Sequence, residues 1–456
     1  MPLAPEVGAA WGCLRLRHGH RCRDRGGPRE CLSSAVAQHR GRWQVAPMGR
    51  KLGVAAGILA VVLAAPVVAI QMRNRALGDR LVGEVVTLSR ERPRPVHRAG
   101  ATPPGTFEDC LGPLLDRAPD AGMFSSKQGE EVKKEIAAAR DGTKPLDSLR
   151  PEVQSDLQRL VPWAVEVAEC ARAAAVGDAP GLGPFGDWDH PRQKVELLPG
   201  STAPRLLVLA MRADVAKGEA ASALRRCADV LALARDLVMD KGLVGAMLAQ
   251  NTTKVLVPAC VSAIDESDVG AKRQFLGELA IIRRGMPTFQ AVMEIEHAEM
   301  QLIAFGKFLS AEQVMRLPDT ARPLAKSGLA SFDSPAKRVA AWLHWGAFVN
   351  HADQVVASAA SPNRDAELAG LDKGYDLLDR FLSDGMPPTS ILAFAQRYDG
   401  VARGLDLLEC AAQVSLGGAP LASVKSSVHD GATTLEVPWW KEETLSVELR
   451  AESPPR

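Results

Sequence analysis

The sequence predicts an all-α, membrane-anchored multi-helix bundle with one tetratricopeptide-like helical hairpin and a small C-terminal β-hairpin. Three observations predict it. An uncharged apolar run extends from Leu52 to Ile70, apolar residues recur at steps of three and four through most of the chain beyond Phe107, and period-2 alternation is confined to the last residues.

The apolar run is entered by Arg50 and Lys51 and left by Arg73 and Arg75. At 1.5 Å per residue it rises about 28 Å, close to the hydrocarbon thickness of a bilayer, and it is apolar on all sides. Residues 1–47 hold eight Arg, no Lys, three His and three Cys without any helical or strand period. They read as a disordered or mis-annotated extension, because Met48-Gly49-Arg50-Lys51 followed by Leu52 has the basic start and apolar stretch of an exported or inner-membrane protein. The run is longer than an ordinary secretory core, which favours a retained single-pass anchor over 48–72; the alternative is secretion after cleavage near Ala69. Long domains translocate largely regardless of charge, so the bulk of the chain is expected outside the cytoplasm.

Past the anchor, residues 73–106 read as a juxtamembrane helix and a Pro-rich stalk, residues 107–430 as the extracytoplasmic helical domain, and residues 431–456 as the β-hairpin and tail. Seven Arg and three acids between Arg73 and Arg98 make that stem basic, either as a solvated face or as a rest on anionic head groups. The net charge of +1 and the 24 % charged residues argue against a nucleic-acid partner and against disorder. Cys110, Cys170, Cys227, Cys260 and Cys410 include no pair at C-x-x-C spacing. In an oxidising compartment Cys110 with Cys170 is the first pairing to expect, whereas Cys227 fits a small buried apolar residue.

Among the helices, Glu219–Met239 is the clearest. Ala220, Leu224, Cys227, Leu231, Ala234 and Val238 form one stripe, with Arg225, Arg226, Asp229 and Arg235 expected to face water. A mostly apolar helix from Pro204 to Ala216 precedes it, and Lys241-Gly242 turns the chain into a third helix ending near Ile264. Ala210, Ala213, Gly218, Ala223 and Leu224 have the spacing of one tetratricopeptide-type hairpin, with no second copy at a 34-residue step. Ala336–Ser358 is expected to bury Trp342, Trp345, Val349, Ala352 and Val356. The next helix, begun at Asn363 and stopped at Gly385, carries Leu368, Leu371, Tyr375, Leu378 and Leu382. Thr434–Val437 and Leu445–Leu449 alternate as strands.

The order of basic start, membrane helix, Pro-rich stalk, helical hairpin with Lys-Gly-Glu-Ala-Ala-Ser-Ala-Leu at its turn, Glu-rich helix around Met293–Met300 and Trp-containing helix is similar to uncharacterised anchored helical proteins of high-GC bacteria. The similarity covers residues 48–420. It implies an anchored helical fold and no particular activity.

Chemistry-bearing constellations are few. Glu294 and His297 form E-x-x-H, half of a di-iron carboxylate pattern, and His344 and His351 on a neighbouring helix could complete a Glu-His-His-His metal set. The bland reading is that these histidines are half-buried and hydrogen-bonded. The Gly181–His190 loop, with Asp187, Trp188 and Asp189, has the composition of a small binding site or of an aromatic-anchored connection. There is no nucleophile elbow, phosphate loop or dinucleotide fingerprint. The sequence therefore points to a single-pass membrane protein with an interaction or scaffolding domain, partnered by the lipid bilayer through Leu52–Ile70 and by a protein of the cell envelope, with no cofactor. A helical metal- or ligand-binding domain is the alternative.

Overall fold

The computed structural model describes residues 48–90, 114, 130–173, 191–319, 321–327, 334–372, 390–429, 431–440 and 443–450, with side chains of the first helix described from Ala64. The chain divides into two units, Met1–Leu63 and Ala64–Arg456. The fold is mostly helical with a small antiparallel sheet. Among the described residues no helix is long and apolar enough to cross a membrane; the side chains of residues 52–63, most of the apolar run, lie outside them.

Helix α1 spans Met48–Arg90 and is amphipathic where it belongs to the second unit. Asn74, Leu81, Val82 and Val85 are buried, with Leu77 and Leu88 packed beside them, at the three-and-four spacing of one helix face. The second unit thus takes in the expected juxtamembrane helix, whose Leu81, Val82 and Val85 lie in a core cluster. Two of the stem's arginines are committed to the domain as well. Arg73 donates to the Leu343 carbonyl at 3.0 Å, and Arg80 donates to Asp353 at 2.8 Å and to Glu84 at 2.6 Å. The stalk prolines lie outside the described residues.

Helices α2 (Glu130–Arg140), α3 (Pro151–Ala173), α4 (Pro191–Ala216), α5 (Ala220–Glu266) and α6 (Val269–Gly285) follow. The start of α4 at Pro191 precedes the expected Pro204, and proline suits a first helical turn because its missing N–H has no partner there in any helix. The helical run of α5 is not straight. Cys227 and Cys260, separated by 33 positions, are joined by a disulfide with Cα atoms 5.7 Å apart, whereas 33 residues of straight helix would span about 50 Å. The reversal falls at Gly242, which holds φ +50°, and at Gly245, where an added Cβ would collide with the Leu237 carbonyl oxygen. This is the Lys241-Gly242 turn expected from the sequence. The Cys227 thiol, expected as a lone apolar filler, is instead half of the disulfide; Cys110 and the Cys170 side chain lie outside the described residues.

The first arm of α5 differs from the amphipathic expectation. Residues 227–238 are buried throughout, including Asp229 and Arg235, because α3, α4, α6 and α12 (Ile391–Val414) surround the hairpin. Buried charges require partners. Arg235, 1 % exposed, donates to Asp236 at 2.8 Å, and Arg226 donates to Asp214 at 2.7 Å.

Helices α7 (Phe289–Phe305), α8 (Ala311–Arg316), α9 (Arg322–Ser327), α10 (Pro335–Ala359) and α11 (Arg364–Leu371) lie between α6 and α12 in the chain. Asp268, Thr288, Ser310, Ser334 and Ser390 each cap a helix with a side-chain oxygen. Asn363 precedes α11 without a side-chain cap; Leu368 is buried, and Tyr375, Leu378, Leu382 and Gly385 lie outside the described residues. In α10 the buried face is Ala341, Trp345, Val349, Ala352, Val355 and Ser358, so Trp342 and Val356 stand at its rim.

The sheet has three antiparallel strands in order, β1 (Lys425–His429), β2 (Ala432–Pro438) and β3 (Thr444–Arg450). The expected hairpin is β2 with β3, in which Leu435 opposes Val447. Leu435, Val437, Leu445, Val447 and Leu449 face the helical core, where Trp439 lies over Gly400 and Gly404 of α12 at 3.4 Å from where their Cβ atoms would be. Strand β1 was not expected, since Lys-Ser-Ser-Val-His carries no apolar alternation and exposes Val428.

A matched pair of glycines tests the hairpin. Gly245→Ala is expected to destabilise the protein severely, because the methyl would meet backbone at a distance no relaxation of a side chain relieves. Gly277→Ala, in the exposed middle of α6 with nothing near its Cβ position, is expected to stabilise by about 0.5–1 kcal/mol. Denaturant unfolding of both variants checks the contrast. In the same assay Leu231→Asp, which buries a carboxylate at a fully enclosed position, is expected to abolish folding.

Candidate functional site

The residues singled out from the sequence fall at the seam between α7 and α10, beside the docked part of α1. Phe305 stacks on Trp345 with ring centroids 5.2 Å apart and meets Phe348 edge-on at 5.3 Å, and Leu81, Val82 and Val85 close this cluster. The aromatic packing fixes α7 against α10 and brings His297 close to His351.

His297 is the most perturbed group of the four. Its pKa is lowered to about 4, first by burial and then by the neighbouring His351, while a hydrogen bond to the Ala352 backbone and the charge of Asp353 act in the opposite sense. Its Nδ1 is sealed from solvent and has no hydrogen-bond partner among the described residues. Glu294 accepts from Gln290 Nε2 at 2.9 Å, along its own helix. The structure thus pairs His297 with His351 but does not unite the set: among the described residues no three His, Cys, Asp or Glu groups come together in an arrangement that would hold a metal ion. Glu294 and His344 are therefore not assembled with the other two around a common centre. The Gly181–His190 loop lies outside the described residues.

Three polar features at or near the seam were not legible in the sequence. Arg80 grips Asp353 with both terminal nitrogens, and this carboxylate holds the guanidinium pKa above its usual range. Asn74, 5 % exposed, donates from its side chain to the Trp342 carbonyl at 2.7 Å. Glu296, the residue before His297, accepts the Leu243 backbone N–H at 3.1 Å where the second arm of α5 begins, and burial raises its pKa. In each case the partner is remote in sequence, and no local spacing could have indicated it.

Comparison with protein-family models, with curated proteins and with solved structures found no match. Chemically, the seam offers one desolvated imidazole, His297, with His351 near it, beside a bidentate ion pair. Such an arrangement holds helices together in a charge-dependent way.

The pH dependence follows from the sign of the His297 shift. Its folded-state pKa, about 4, lies below the ordinary 6.5, so between these values the unfolded chain binds the proton that the folded one refuses. Stability contributed by neutral His297 is complete above pH 6.5 and is lost as pH falls toward 4, by up to about 3 kcal/mol. His297→Gln is expected to remove that component while leaving stability at neutral pH nearly unchanged. Chemical denaturation of both proteins through this interval checks it, and parallel stability curves would refute the assignment.

Proposed function

We propose that the protein is a single-pass membrane protein whose extracytoplasmic helical domain is an interaction or scaffolding module of the cell envelope. The observation that carries this reading is the Cys227–Cys260 disulfide buried in the main core, because structural disulfides form and persist in oxidising compartments. The Leu52–Ile70 run supplies the anchor, being long enough and uncharged enough to span. Toward the end of the run Val67 and Val68 are 52 % and 51 % exposed, apolar surface that lipid would cover under this reading. Likeness to anchored helical proteins of high-GC bacteria belongs to the same reading. A scaffolding role is favoured because ion pairs of the domain join one helix to another, as at Arg80–Asp353, Arg364–Asp399 and Arg226–Asp214.

The second reading, a ligand-binding domain at the α7–α10 seam, rests on the unpartnered Nδ1 of His297. It lacks the metal set, and elemental analysis of the purified full chain separates the two: bound metal at a stoichiometric level supports the second.

Carbonate extraction of native membranes is expected to leave the wild type in the pellet. Each Arg at the centre of a spanning helix costs about 2.5–3.5 kcal/mol on insertion scales, so replacing Val61 and Val62 together with Arg is expected to release or block the protein. A soluble wild type shortened near Ala69 would make the run a cleaved signal. Non-reducing peptide mapping of the same material is expected to recover Cys227 linked to Cys260; a reduced pair would place the domain in a reducing compartment.

A further inference from the structure

We propose that the first turns of α10, beside the exposed end of α1, form a second membrane contact, a basic and apolar face that rests on an anionic lipid surface. The proposal deepens the anchored reading and depends on it.

Helices α1 and α10 run in the same direction. Asn74 reaches the Trp342 carbonyl, Arg73 reaches the Leu343 carbonyl, and further along both helices Arg80 reaches Asp353. The start of α10 therefore lies alongside the part of α1 that leads back toward Ile70, the end of the apolar run. Val339 is one helical turn, about 6 Å, before Leu343 on the same face.

That end of the domain carries exposed apolar side chains that none of the described residues covers. Val339 is 58 % exposed and Leu343 47 %, and on α1 Met72 is 70 % exposed. Isolated exposed apolar residues are ordinary, but here they flank two adjacent helices at the level where the apolar run ends. Trp342, half-buried between Val339 and Leu343, is the residue type that settles at a head-group boundary. The charge is mainly basic. Residues 335–346 contain Lys337 and Arg338 and no acid, and residues 66–79 contain Arg73 and Arg75 with one acid, Asp79, near Arg75. Apolar side chains interleaved with basic ones suit an anionic head-group layer above acyl chains. Continuity with the apolar run favours lipid over protein as the occupant.

The test uses the full chain reconstituted in vesicles of mixed phosphatidylcholine and phosphatidylglycerol. An environment-sensitive fluorescent amino acid is encoded at position 343 or, as a reference, at position 428 on strand β1, where Val428 is 69 % exposed. Emission at 343 is expected to shift to the blue and to be at least halved by lipids with brominated acyl chains, while emission at 428 changes little. With the probe at 339, Leu343→Asp is expected to abolish the quenching without changing the thermal melt, and Lys337→Glu with Arg338→Glu is expected to weaken it, as are vesicles of phosphatidylcholine alone. A chain that floats with the vesicles while 343 behaves like 428 overturns this contact and leaves the anchor standing. A chain that does not float overturns the anchored reading and the contact with it. Protection of 343 from aqueous iodide without quenching by brominated lipid means that protein covers the face, which also overturns the proposal.

Discussion

The hairpin of α5 is the constraint on which the main core depends. Its two arms can lie against each other only because Gly245 brings its backbone onto Leu237 with no Cβ between them, and because Gly242 takes a left-handed conformation at the reversal. Once the arms are joined, Cys227 and Cys260 meet, and the paired arms become a surface for α3, α4, α6, α12 and the sheet. The cost of this central position is the burial of charges that a surface helix would expose. Arg235 and Asp236, neighbours in sequence, pair at 2.8 Å inside the core, which offsets part of that penalty.

A separate cluster forms where α1 docks on α7 and α10. Its apolar part is Leu81, Val82 and Val85 against Phe305 and Trp345, and its polar part is Arg80–Asp353, Asn74 with the Trp342 carbonyl, and Gln313 with the Arg75 carbonyl. Direction and register are set by the polar contacts, since the apolar surfaces alone would tolerate sliding. The desolvated His297 sits in the same seam, so acidification strains the packing that holds α1 in place.

Legibility in the sequence followed the strength of local periodicity. The reversal at Lys241-Gly242, the strand pair around Leu435 and Val447, and the helical character of α10 were readable because each rests on spacing or turn chemistry within a few residues. What was misjudged depended on remote partners. The stretch Arg73–Leu88 reads as a basic stem until Phe305 and Trp345 are known to cover its apolar stripe. Asp229 and Arg235 read as solvent-facing because a helical wheel shows which residues share a face, not how many neighbours surround the helix. The pairing of Cys227 was hidden for the same reason, since only the hairpin brings Cys260 to it. Whether His344 and His351 could join Glu294 and His297 depended on α7 and α10 being neighbours, which no local spacing shows; His297 lies near His351, while Glu294 accepts from Gln290 along its own helix.

The central claim is that residues 77–88 belong to the folded core and not to a free stem between anchor and domain. Amide hydrogen exchange on the full chain in lipid or detergent tests it most directly, since protection reports the free energy of opening each segment. Amides of Leu81, Val82 and Val85 are expected to be protected to the same degree as those of residues 227–238 in the first arm of α5. Rapid exchange over 77–88 while the α5 hairpin stays protected would contradict the account.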